Sequence, residues 1–300
     1  MIEIKGITKT FGATKALNEV SFNIEKGSVF GLVGSNGAGK STLLRIIAGV
    51  FEPDSGNAYL DGETPFENNT VKEKTAFVSD FPYFYSGVTL DSMAQYYKDM
   101  YSGWDDIRFT KLKAAFPIDP YQKISTMSKG MQRQSAIILA LSYNPEYILF
   151  DEVFDGLDPV IRELVKRILI DYVEETGATV VIAGHNLREL EGFCDHIGLL
   201  HLGGILMEKD IDSEAMGMFR VQFVLPDEAQ LEPLRAKLNI VKEARQGKMI
   251  TMTVKGNKDE IDAVLAAESP VFLETLPLTL EELFISEMEV AGYDINKFTF

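Results

Sequence analysis

The chain reads as an α/β protein built on a mainly parallel sheet, and three observations carry that reading. Two helix-like segments, at about 131–143 and 159–176, are each followed by a nearly all-apolar run, YILFDEV and ATVVIAGH. Such runs suit strands buried on both faces of a parallel sheet, and alternating helix and strand is the mark of an α/β domain. The third observation is the segment 34–42, GSNGAGKST, which joins the apolar VFGLV at 29–33 to the helix-like LLRIIAGV. In open α/β sheets ligands bind beyond the carboxyl ends of the strands, and Lys40, Asp151 and His185 all fall at such ends.

In chain order, residues 1–80 give short strands at MIEIKGIT, ALNEVSFNI, SVFGLVG, NAYLDG and TAFVS, with a turn at Pro53-Asp54-Ser55-Gly56. Proline presets φ for that turn and glycine accepts a positive one. Met93, Tyr96, Tyr97, Met100 and Tyr101 then recur at helical spacing, which predicts an inserted helical subdomain at about 86–143. Past residue 215 the pattern changes: MFRVQFVL, a helix near 228–238, NIVKEA, MITMTVKG, a helix at 258–267 and VFLETL suggest βαββαβ, followed by the helical LTLEELFISEME. The expected division is a domain at 1–215 and a small α+β domain at 216–300.

A chain of 300 residues with 46% hydrophobic content can bury a sizeable core. Its net charge of −16 argues against a surface that neutralises nucleic-acid phosphates. The single cysteine, Cys194, excludes an internal disulfide framework and suits a reducing cytosol. No stretch approaches the roughly 18–20 apolar residues of a membrane helix, and the N-terminal residues lack a signal-peptide apolar core. A cytoplasmic location is therefore expected.

The segment 34–42 matches G-x-x-x-x-G-K-[ST] through Gly34, Gly39, Lys40 and Ser41, in the strand, loop and helix context that the motif requires. Gly34, Gly37 and Gly39 let backbone N–H groups curl around phosphate oxygens, with Ser35, Asn36, Ala38 and Thr42 completing the loop. The following helix adds its positive end. Lys40 would reach the β- and γ-phosphates of ATP, and the Ser41 hydroxyl would ligate Mg²⁺. A dinucleotide loop would need glycine where Asn36 stands. Downstream, YILFDE delivers two carboxylates: Asp151 to hold the metal and Glu152 to polarise the attacking water. Such a pair is otherwise a helix cap or turn, and the phosphate loop upstream favours the site.

Between these motifs lies Met127-Ser128-Lys129-Gly130-Met131, and after them Gly156-Leu157-Asp158-Pro159 and His185. In this order, over about residues 1–210, the sequence resembles the ATP-binding subunit of an ABC transporter, whose phosphate-loop fold joins a parallel core to an antiparallel β subdomain and a helical subdomain. MSKGM occupies the place of the family signature LSGGQ, with Lys129 for a glycine and Met131 for the glutamine, and is similar to signatures of export-type members. The resemblance implies that Ser128 and Gly130 bind the γ-phosphate of ATP held by a second ATPase subunit, that Asp158 couples the two sites, that His185 touches the γ-phosphate and that Phe11 stacks on adenine. Asp80 stands where the family places a glutamine that touches Mg²⁺ and the catalytic water; a carboxylate can join the metal shell but cannot donate an amide N–H, and a solvated turn residue is the alternative. Phe81, Pro82, Tyr83, Phe84 and Tyr85 suit either the groove that receives a membrane partner or the core of the helical subdomain.

The implied activity is hydrolysis of ATP to ADP and phosphate by a dimer, homodimeric or formed with a related chain, on the cytoplasmic face of the membrane. It would power a separately encoded integral membrane permease. LTLEELF resembles the tail of drug- and antibiotic-type exporters, so export is the expected direction. No nucleic acid is expected as a partner. Two other readings stay open: a soluble ABC protein acting on ribosomes or DNA, and a regulatory ATP-binding module with little turnover.

Overall fold

Runs of five or six residues with no polar residue at their centres become the interior strands of the main sheet. The structure is a computed structural model, and it describes residues 1–210, 217–227, 231–279, 281, 282 and 285. The chain forms two compact units, Met1–Glu208 and Lys209–Phe300.

In the first unit β1 (Ile2–Phe11), β2 (Thr14–Ile24) and β4 (Ser55–Leu60) make an antiparallel sheet in the order β2-β1-β4. A six-stranded sheet holds β3 (Val29–Val33), β5 (Thr75–Val78), β6 (Tyr147–Asp151), β7 (Thr179–Gly184), β8 (His196–His201) and β9 (Gly204–Asp210), in the order β5-β6-β7-β3-β8-β9. Strands β5, β6, β7, β3 and β8 pair in parallel. Every residue of β3 and β6 is buried, as expected of strands covered on both faces. The register sets Val33 beside Gly184 and Asp151 beside Ala183, so the carboxyl ends of three adjacent strands are level.

Helix α1 (Lys40–Ile47) turns Leu43, Leu44, Ile46 and Ile47 into the core between the two sheets, where Phe22 stacks on Phe30. The remaining helices of this unit are α2 (Asn69–Glu73), α3 (Leu90–Met100), α4 (Asp106–Ala115), α5 (Lys129–Leu141), α6 (Pro159–Thr176) and α7 (Leu187–Leu190). Helix α5 begins two residues before the expected Met131, because the Ser128 hydroxyl accepts from the Met131 amide and draws Lys129 and Gly130 into the first turn. Helix α6 starts on an Asp158 cap with Pro159 in its first turn and stops on left-handed Gly177. Helices α3, α4 and α5 pack Met93, Phe109 and Leu112 inward, and Tyr101 stacks on Tyr143 at a ring separation of 3.9 Å.

The second unit runs β10 (Met218–Val224), α8 (Leu231–Lys237), β11 (Asn239–Gln246), β12 (Met249–Lys255), α9 (Lys258–Ala266) and β13 (Phe272–Pro277). Its antiparallel sheet has the order β11-β12-β10-β13. Alternation in MFRVQFV and MITMTVK buries Phe219, Val221, Phe223, Met252 and Val254 against Leu234, Ile261 and Leu265 of the helices. Most of the terminal helix expected at LTLEELFISEME lies outside the described residues. Among the described residues no helix is long and apolar enough to cross a membrane.

Candidate active site

Two glycines make the turn from β3 into α1 possible. A Cβ on Gly34 would lie 2.3 Å from the Leu200 carbonyl oxygen, and one on Gly39, at φ 109°, would lie 2.4 Å from that of Ala16. With no side chain capping α1, its first amides are left for a ligand. Lys40 is buried at 5% exposure and donates from Nζ to the carbonyls of Gly34 at 2.7 Å and Ser35 at 3.3 Å. The same Nζ lies 3.4 Å from Glu152 Oε1.

Strand β6 brings the carboxylates to this loop. Asp151 is 1% exposed and accepts from the Ser41 hydroxyl at 2.9 Å. Burial pushes its carboxyl above the usual range; the Ser41 hydrogen bond and Arg45 oppose that shift, and the charges of Glu152 and Asp80 add to it. Glu152 has a left-handed backbone, φ 52°, and its amide donates to the Ala183 carbonyl at 3.0 Å. A non-glycine residue held there carries strain of about 1–2 kcal/mol. Sequence reasoning carried no signal for it. Glu152 Oε2 lies 2.9 Å from Nδ1 of His185, which β7 delivers one residue past its end.

Lys40, Ser41, Glu152 and His185 border a cleft of about 430 Å³ that also takes in residues 36–39, Thr42, Thr14 to Ala16 of the β1–β2 hairpin, Asp80 and Asp155, and Asp151 is tied to it through the Ser41 hydroxyl. Of the side chains that border it, Asp80, Glu152 and Asp155 oppose Lys15 and Lys40. A hydroxyl and a cluster of carboxylates form a hard oxygen donor set, which fits Mg²⁺ better than a softer metal. Asp155, missed from the sequence, brings a ligand atom within 4.8 Å of those of Glu152 and His185.

Other expected site residues lie elsewhere. Ser128 and Asp158 are not among the residues bordering this cleft; they cap α5 and α6, and the Asp158 carboxylate accepts from the amides of Val160 and Ile161 at 3.0 and 3.1 Å. Gly130 packs so tightly on the carbonyl of Gly156 that a Cβ would lie 2.7 Å from it. Phe11 is 45% exposed beside Phe51, at the end of β1 and paired in register with the cleft residue Thr14.

Asp80 borders the cleft with a partner that was not singled out from the sequence. Arg133 Nη2 donates to both Oδ1 and the carbonyl oxygen of Asp80, each at 2.6 Å. A charged residue among the otherwise mostly apolar buried positions of α5 was the available signal. Phe81, Tyr83 and Tyr85 are 72%, 84% and 52% exposed, so they do not form the core of the helical subdomain. Pro82, Tyr83 and Phe84 instead border a groove of about 600 Å³ together with Tyr97, Tyr101 and Tyr143.

Residues 17–155 match the family described as ABC transporter. YtrB of Bacillus subtilis, an ABC transporter ATP-binding protein, is 28% identical over 287 residues, covering 96% of this chain and 98% of its own. MJ1023 of Methanocaldococcus jannaschii, an uncharacterised ABC transporter ATP-binding protein, is 32% identical over 74% of this chain and 82% of its own. The bacitracin transport ATP-binding protein BcrA of Enterococcus faecalis is 30% identical over 70% of each chain. Among solved structures, the bacterial ABC transporter cassette MJ0796 in dimeric form superposes with a TM-score of 0.64 at 28% identity, over 70% of this chain and 99% of its own. Its post-hydrolysis dimer bound to ADP and phosphate gives 0.63 at 26% identity, with the same coverage.

Proposed function

The chain belongs to the ABC transporter ATP-binding proteins and is an ATPase, and from that premise we propose that it works as one of two ATPase subunits driving a separately encoded membrane permease in export. The convergence of Lys40, Ser41, Asp151, Glu152 and His185 at the level ends of β3, β6 and β7 carries this reading. Export is supported by relatives whose names are bacitracin transport, lantibiotic transport and linearmycin resistance ATP-binding proteins.

In this mechanism the loop amides and Lys40 hold the β- and γ-phosphates, and phosphoryl transfer is driven by positioning and charge neutralisation. Ser41 and Asp151 would hold Mg²⁺, which neutralises charge on the phosphates when bound. The Glu152 carboxylate accepts a proton from the attacking water, and His185 fixes its orientation and reaches the γ-phosphate. Ser128 and Gly130, away from the cleft of their own chain, present the α5 N-terminus to ATP held by the second subunit, across which Asp158 couples the two sites. Phe11 contributes a face for adenine. The exposed Phe81, Tyr83 and Tyr85 and the neighbouring groove form the docking surface of the permease, and would place the chain at the cytoplasmic face of the membrane.

The test is phosphate release by the purified chain alone and reconstituted in vesicles with a candidate permease. Stimulation by the permease, with substrate moved out of the ATP-accessible side, is the expected result. Turnover that no permease alters would instead support the regulatory reading, which the Asp80, Lys129 and Met131 departures keep open.

A further inference from the structure

We propose that Arg133 is a positioning residue for ATP turnover, whose buried guanidinium cancels the charge of Asp80 and fixes the Asp80 loop so that the cleft accepts a triphosphate. The inference rests on the ATPase reading of that cleft and adds a residue to it.

The cleft is rich in carboxylates before any ligand enters. Asp80, Glu152 and Asp155 border it, Asp151 is hydrogen-bonded to the bordering Ser41, and Lys15 and Lys40 are the lysines at its border. An uncompensated Asp80 would add repulsion against the phosphates of ATP. Arg133 supplies the compensation from inside the protein: its side chain is 6% exposed, against 35% for Asp80. The pair is therefore poorly screened by salt, and a buried arginine without its carboxylate would be costly.

Geometry adds a second role. One nitrogen, Nη2, bonds both the Asp80 side chain and its main-chain oxygen, so the loop is held by two bonds at 2.6 Å. Nη1 lies near Gly156, where a Cβ would come within 3.8 Å of it, and Gly130 of the same helix packs on the Gly156 carbonyl. Arg133 thus sits where the Asp80 loop, the start of α5 and the loop after Glu152 meet. A neutral side chain at position 80 would need no such partner, and the carboxylate does.

The experiment compares Arg133→Gln, Arg133→Lys, Asp80→Asn and the double variant Asp80→Asn/Arg133→Gln. ATP affinity is measured by calorimetry in EDTA, and KM and kcat with Mg²⁺. Arg133→Gln is expected to weaken ATP binding about tenfold, from a like charge at short range in a medium of intermediate dielectric. Arg133→Lys keeps the positive charge and should stay within about threefold of the parent, as should the double variant, whose two groups couple as one pair. Asp80→Asn alone leaves an uncancelled cation beside the cleft and should tighten ATP. Parental affinity in Arg133→Gln, or a double variant as weak as that single one, overturns the proposal. Should Arg133→Gln fail to fold, Asp80→Asn decides: tighter ATP supports the charge role, and unchanged affinity overturns it. A purely structural ion pair would lower the melting temperature of Asp80→Asn without tightening ATP. Parental protein that binds no ATP in the same calorimeter would instead defeat the reading of the cleft itself.

Discussion

His185 Nδ1 lies 2.9 Å from Glu152 Oε2, while the other oxygen of the same carboxylate lies 3.4 Å from Lys40 Nζ. One carboxylate thus bridges the cation of the phosphate loop and the histidine of the neighbouring strand end. In the proposed mechanism this arrangement leaves Glu152 little freedom to turn away from an attacking water.

Glu152→Gln keeps shape and hydrogen bonding but removes the proton acceptor. Hydrolysis should fall by about 10²–10⁴, the usual worth of general base catalysis, while ATP binding persists. Single-turnover phosphate release checks this, and a parental rate in the variant would remove Glu152 from its role. His185→Ala should lower kcat more than it raises KM, because it loosens Glu152 without touching the phosphate loop.

Ser128 caps α5 in its own chain and is assigned to the phosphate of another. In the Glu152→Gln background ATP should therefore promote a dimer, and adding Ser128→Arg should abolish it. Light scattering with and without ATP reads the outcome directly. Loss of the cap alone costs about 1 kcal/mol, too little to unfold the chain, so a folded monomer is the expected product.

Gly34→Ala places a methyl group 2.3 Å from the Leu200 carbonyl oxygen. Neither backbone can yield easily, and overpacking of this kind costs about 1–3 kcal/mol. The melting temperature should fall by several degrees and ATP affinity with it, as followed by circular dichroism and calorimetry. Parental behaviour in both would show that the loop is looser than its contacts require.

Burial in the aromatic cluster pushes the Tyr97 phenol up to about 12, with the neighbouring Tyr101 adding to the shift. The folded protein holds that proton where the unfolded chain, near 10, has lost it. Stability should therefore fall as pH rises through about 10 to 12, and the contribution of Tyr97 is intact below that window. Tyr97→Phe should make the fall shallower by one proton, measured by urea unfolding at pH 8 and pH 11. An unchanged slope would mean that the aromatic cluster does not hold the phenol protonated.

Much of the candidate site's geometry was legible because the residues that converge there sit in contiguous motifs at strand ends. GSNGAGKST and ILFDE each encode their own local geometry, and the fully buried β3 and β6 that carry them read as apolar runs. Arg133 was not legible, since its partner lies 53 residues away and the pairing depends on a tertiary approach of α5 to the Asp80 loop. The start of α5 was misjudged by two residues because Gly130 is a poor helix former and the Ser128 cap decides the boundary. The aromatic run at 81–85 has a composition that serves a core as well as a surface, and only its exposure separates the two.

In the proposed mechanism the left-handed backbone of Glu152 sets catalysis against durability. At that φ asparagine or glycine would sit more comfortably than glutamate. A screen that rewarded survival of heat alone would be drawn to position 152, and the cassettes it returned would be robust and chemically inert.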